Sequence, residues 1–156
     1  MEKYNVIFHK PTQQYEVRLF LKQSVGTESR IEKFLNIINL FNVQEMIFVG
    51  TCISRKNDSI MDDLQTLDTN FSFNRRKAYN DKLLEINIEF TGERIEEIIK
   101  LTEKTNLPLY VSQSKNSTKF SGFEVLVNDR EYWSITFQKD IIDYDDFINK
   151  LETILN

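Results

Sequence analysis

The residue types that do chemistry are scarce in this 156-residue chain: one histidine, one cysteine and three groups of neighbouring carboxylates. Any Ser-His-Asp or Cys-His hydrolysis would have to run through His9. That residue falls near the end of an amino-terminal alternating stretch and not on a nucleophile elbow, so it reads as a solvated strand-end histidine. Cys52 lies inside the apolar run "EMIFVGTCI". A thiol there packs as a small hydrophobe, and burial raises its pKa and blunts its reactivity. Asp62 with Asp63, Glu96 with Glu97, and Asp143 with Asp145 and Asp146 have the chemistry for general acid-base work or a Mg²⁺ site. Their spacing matches no ligand pattern. Asp145 and Asp146 fit the first turn of a helix capped by Asp143, where the macrodipole favours negative charge. Glu96 stands four residues before Lys100, the spacing of an ordinary helix-stabilising pair.

Phosphate-cradling glycine loops are absent, neither G-x-G-x-x-G nor G-x-x-x-x-G-K-[ST] occurring anywhere in the sequence. With one cysteine and one histidine, a zinc site lacks its ligands, and no bound metal, nucleotide or other cofactor is expected. The segment "KFSGFEVLV" resembles a base-stacking RNA-recognition strand only superficially. Phe120 and Phe123 stand three apart, which on a regular strand sends them to opposite faces, and Gly122 marks a bend before the strand. More suggestive is "NFSFNRRKAYNDK", residues 70–82, where Phe71, Phe73 and Tyr79 surround Arg75, Arg76 and Lys77. Such a segment would grip single-stranded nucleic acid by charge and stacking. One basic triad is a small footprint, however, and a loop with its aromatics turned to the core is the simpler reading.

These residues need elements to position them. "YNVIFH" and "YEVRLFLK" alternate apolar with polar positions and read as a hairpin joined across "KPTQQ". "TESRIEKFLNIINLF" places Ile31, Phe34, Leu35, Ile38 and Phe41 at helical spacing. "EMIFVGTCI" shows little alternation, which predicts a strand covered on both faces. "DSIMDDLQTL" suits a short acidic helix. "KLLEINIEF" restores alternation, with Leu84, Ile86, Ile88 and Phe90 on one face, and "TGERIEEIIKLTEKTNLP" follows as a helix. "LPLYVSQ" is a short strand, "FEVLV" and "YWSITF" form a second hairpin, and "DYDDFINKLETIL" closes with Phe147, Ile148, Leu151 and Leu155 on one stripe.

The predicted fold is therefore α+β: one two-layer domain over residues 1–156, a mostly antiparallel sheet of about 6–7 strands with three main helices on one face. The two ends read alike, as a degenerate ββα duplication or as two ordinary hairpin–helix units. Because the alternating strands carry Glu, Asn, Arg and Lys on their second side, the other face of the sheet is expected to be partly exposed.

Composition narrows the function classes. With 20 Lys+Arg against 24 Asp+Glu, net charge -4, the chain lacks the basic excess of a phosphate-backbone binder. A single cysteine suits a reducing cytoplasm, and no apolar run reaches the length of a membrane span or a signal-peptide core. Abundant Asn, Lys, Ile and Phe with few Gly and Pro suggest an AT-rich bacterial or phage genome. The leading expectation is a non-catalytic binding protein that neutralises or regulates another protein, a toxin or a host enzyme, in the manner of immunity and antitoxin-type inhibitors. A nucleic-acid-associated protein using residues 71–82 is one alternative. A small-ligand module or enzyme whose site converges only in three dimensions is another. Residues 57–82 are expected to form a long connection between two core strands, with Asp62 and Asp63 in an acidic half. Phe73, Arg75, Arg76, Lys77 and Tyr79 make up its basic half, and the whole is the expected partner-contacting segment.

Overall fold

Alternation at the amino terminus becomes a hairpin, β1 (Tyr4–His9) antiparallel to β2 (Gln14–Leu19), as the sequence predicts. The computed structural model describes residues 4–20, 27–55, 72–78, 83–105, 108–113, 122–127 and 132–156. After the hairpin come α1 (Thr27–Ile38), extended by a 3-10 turn over Asn39–Phe41, and β3 (Ile47–Arg55). Then follow β4 (Ser72–Ala78), β5 (Leu83–Thr91), a 3-10 turn over Gly92–Arg94 and α2 (Ile95–Thr105). The chain continues through β6 (Leu109–Gln113), β7 (Glu124–Val127), β8 (Trp133–Gln138) and α3 (Tyr144–Leu155).

The strands make one open antiparallel sheet in the order β1-β2-β8-β7-β6-β3-β5-β4. Every pairing is antiparallel, so neighbouring residues on paired strands share a face. On the face beneath the helices lie Val17, Leu19, Trp133, Ile135, Phe137, Val125, Val111, Leu109, Phe48, Cys52, Ile86, Ile88 and Phe90, all buried. Phe34, Leu35, Ile37 and Ile38 of α1, Ile98 and Ile99 of α2, and Phe147, Leu151 and Leu155 of α3 complete the same core. Helices α1 and α3 pack together. The second strands of the two terminal hairpins, β2 and β8, pair antiparallel, so the two hairpin–helix units meet edge to edge.

Two expectations need correction. The connection over residues 57–82 is not strandless: its part from Ser72 to Ala78 is β4, paired with β5 at one end of the sheet. Its backbone hydrogen bonds are supplied by the alternating β5 alongside it, which a search for period in its own sequence cannot register. This strand brings the sheet to eight. Second, β3 is central in the sheet but not covered on both faces. Phe48, Gly50 and Cys52 are buried while Ile47, Val49 and Thr51 are only half-buried, and Thr51 Oγ1 donates a hydrogen bond to Asn87 Oδ1 at 2.8 Å on the open side. The acidic stretch "DSIMDDLQTL" lies outside the described residues.

Local signals hold where they were strongest. Asp143 caps α3, its side chain accepting from the Asp146 N–H at 3.1 Å. Lys100 pairs with Glu96 at 2.8 Å and Lys150 with Asp146 at 2.9 Å, both exposed pairs that contribute little to stability. Gly122 precedes β7 with φ of +92°, a backbone state that L side chains avoid, and Phe123 beside it is fully buried. Burial pushes the Cys52 thiol up to about 11, which leaves it a core residue. No helix among the described residues is long and apolar enough to cross a membrane.

Candidate functional site

The sheet face away from the helices carries two rows of side chains that cross several strands. One runs Ile7, Glu16, Thr136, Glu124, Ser112, Val49 and Glu89; the next runs Asn5, Arg18, Ser134, Leu126, Tyr110, Thr51 and Asn87. Strand alternation puts these positions outside because their neighbours in sequence are the apolar core residues. Over β1, β2, β8, β7 and β6 the surface dips into a groove of about 460 Å³. Its walls include His9, Glu16, Tyr110, Glu124 and Thr136, with Ser134 beneath and Pro11 and Thr12 at the hairpin tip.

The tip is held in place. Gln13 takes a left-handed φ of 57°, its side-chain amide donates to the Lys10 carbonyl at 2.6 Å, and its own carbonyl accepts from Lys139 N–H at 3.1 Å. Gln14 Nε2 donates to the Gly122 carbonyl at 3.1 Å, tying the hairpin to the start of β7. A Cβ at residue 122 would sit 2.7 Å from that same Gln14 nitrogen, so glycine serves both the turn and the latch.

Two carboxylates line the groove in different surroundings. Glu16 is only 14% exposed and accepts from Arg18 Nε at 2.9 Å, while His9 Nε2 lies 2.9 Å from its other oxygen. Burial alone would push this carboxyl up, but the hydrogen bonds from Arg18 and His9 outweigh it and hold the group below its ordinary 4.5. The bond to Glu16 in turn raises Arg18, whose guanidinium also lies 4.7 Å from the Tyr132 ring centroid. Across Thr136, about 10 Å away at the backbone by two strand spacings, stands Glu124. The Tyr110 phenol donates to Glu124, and burial first and that hydrogen bond second push the phenol well above its ordinary value.

The lowered Glu16 carboxyl makes a pH prediction. A depressed folded-state pKa contributes stability that is present above the ordinary value and lost as pH falls through the lowered one. The groups facing Glu16 are His9, Arg18 and, beyond Thr136, Glu124. Glu16→Gln is therefore expected to lower the melting temperature at pH 7 and to converge with the parent in acid, once the pH has fallen through the lowered pKa and the carboxyl is protonated in both states. Melting curves at the two pH values check this, and a gap that widens on acidification contradicts it.

His9 sits at the strand end, as the sequence predicts, but it is paired with Glu16 and not simply solvated. Among the described residues its ring meets a carboxylate and no hydroxyl or thiol, so the nucleophile–base contact of acyl-transfer sites is not assembled there. Among those residues, too, no three His, Cys, Asp or Glu side chains converge. The segment chosen from sequence is elsewhere. Phe73, Arg75, Arg76 and Lys77 stand on β4, which β5 and β3 separate from β6 and the groove. Register sets Arg75 opposite Ile86 and Arg76 opposite Glu85. Asp62, Asp63 and Tyr79 lie outside the described residues. Sequence reading passed over Glu16, Tyr110, Glu124 and Ser134 as candidates, although the polar side of the alternating strands was the signal available.

Fold and site together define an antiparallel α+β protein with helices on one side and, among the described residues, an uncovered, grooved polar sheet face on the other. No protein-family model, curated protein or solved structure matches the chain.

Proposed function

We propose that this protein binds another protein through the open face of its sheet and acts by covering it, as immunity and antitoxin-type inhibitors do. The supporting observation is the sheet face that carries no helix among the described residues: built from paired strands, polar, and shaped by the groove at Glu16 and Glu124. Around the groove this face carries Glu16 and Glu124 against Arg18 and the His9 imidazole. Together with a net charge of -4, this suits a basic partner, a nuclease-like toxin or a host enzyme, whose approach it would accelerate. A reducing bacterial cytoplasm fits the single cysteine.

A photo-crosslinking residue placed at Ser112, on the open face beside Glu124, is expected to trap one basic protein in lysate of the native host. The same probe at Lys150, on the exposed side of α3, should trap none. Equal capture from both positions contradicts the reading. So does salt-sensitive nucleic-acid binding that disappears on Arg75→Glu with Arg76→Glu, which would move the function to β4.

A further inference from the structure

The groove holds one carboxylate whose charge is unanswered. Glu16 is met by Arg18 and His9, whereas Glu124 receives only the Tyr110 phenol, which donates a hydrogen bond but brings no charge. Among the described residues no lysine, arginine or histidine pairs with Glu124. Two strand spacings away, about 10 Å at the backbone, the same protein shows the completed arrangement. Arg18 lies between the Glu16 carboxylate at 2.9 Å and the Tyr132 ring at 4.7 Å, charge on one side and aromatic face on the other. Glu124 and Tyr110 repeat the carboxylate and the ring without the guanidinium.

With Glu16 already met by Arg18 and His9, the polar walls nearest Glu124 are neutral hydroxyls. Thr136 is the direct cross-strand neighbour of Glu124, and Ser134, 6% exposed, is the buried polar residue beneath. Tyr110 is 40% exposed, so its ring is open to stacking. A hard divalent ion needs several charged oxygens, which this groove lacks. One carboxylate, neutral hydroxyls and an aromatic wall suit an organic cation, and the planar fork of a guanidinium matches carboxylate and ring better than an ammonium does. We propose that the groove seats an arginine side chain of the partner, held by Glu124 and stacked on Tyr110. This rests on the partner-covering reading above for the source of the arginine, and on the groove alone for the chemistry.

The test titrates N-acetyl-arginine methylamide into ¹⁵N-labelled protein, with the isosteric, uncharged citrulline derivative as control. Saturable shifts are expected at the amides of Glu124, Ser134 and Thr136, with Kd of about 1–10 mM for a single charge-assisted contact. The citrulline derivative should leave them in place. Glu124→Gln, with an unchanged melting temperature, should weaken the arginine probe about tenfold or more. If that variant fails to fold, Tyr110→Leu serves instead and should weaken it several-fold. Equal shifts from both probes, or indifference to Glu124→Gln, overturn the seat. Agmatine binding tighter than micromolar overturns the partner as its occupant, since a free small cation would then fill it. If the probe binds but Ser112 traps no protein, the cation site stands and the partner reading falls. If a basic protein is trapped and neither the probe nor Glu124→Gln disturbs it, the seat falls and the partner reading stands.

Discussion

Phe147→Ala is expected to lower the free energy of unfolding by about 3–5 kcal/mol, the range for removing a fully buried phenylalanine and leaving its cavity. Phe147 is 0% exposed on α3, and its ring meets Phe41 at 5.3 Å and Phe137 at 5.2 Å between centroids. Phe41 continues to Phe123 at 5.1 Å, Phe123 to Phe48 at 5.9 Å, and Phe48 to Phe90 at 6.0 Å. The rings thus join the last helix to the 3-10 turn after α1 and to strands β8, β3 and β5. Deleting one removes contacts from several elements at once. Phe48→Ala, further along this line between Phe123 and Phe90 and equally buried, should fall in the same range. Phe147→Leu, which keeps most of the volume, should cost about 1–1.5 kcal/mol. Denaturant titration with an unchanged m-value is the measurement, and a loss under about 1 kcal/mol for either alanine variant would show that the side chain does not belong to the core.

Gly92→Ala is expected to be comparably damaging, at about 3 kcal/mol or more, for a reason of backbone and not of cavity. An added Cβ would lie 1.7 Å from the Val43 carbonyl oxygen, 2.5 Å from the Val43 carbonyl carbon and 3.1 Å from Gln44 Cα. All three are main-chain atoms, so no rotamer change relieves the clash. The Gly92 N–H also donates to the Met46 carbonyl at 2.8 Å, and Met46 N–H to the Val43 carbonyl at 3.0 Å. Displacing residues 43–44 strains both bonds and the entry to β3. Gly50→Ala is the useful contrast: its nearest neighbour is a ring atom of Phe90 at 3.1 Å, a side chain that can turn, and the expected loss is smaller. A Gly92→Ala protein that melts with the parent would show that the two backbone segments are not in contact.

The sequence by itself determined the elements whose pattern is local. Period-two alternation was sufficient for β1, β2 and β5, because one buried face selects every second residue whatever the neighbouring strand is. Helical spacing with an aspartate cap was sufficient for α3, since cap and stripe both lie within a few residues of one another. Only the tertiary structure decided matters of pairing. The segment 72–78 became β4 because β5 offered it an edge, a non-local hydrogen-bonding event without a period of its own. The apolar residues of β3 were split between a buried face and a half-open one according to which side the helices occupy. Gly92 became indispensable because a distant turn packs on it. The same distinction separates the two candidate surfaces. Arg75, Arg76 and Lys77 attract notice as consecutive letters. Glu16 and Glu124 are remote in sequence and become neighbours across Thr136 because the order β2-β8-β7 brings three separate strands side by side. Alternation tells which residues leave the core, and strand order, set by the packing of the whole sheet, tells which of them meet.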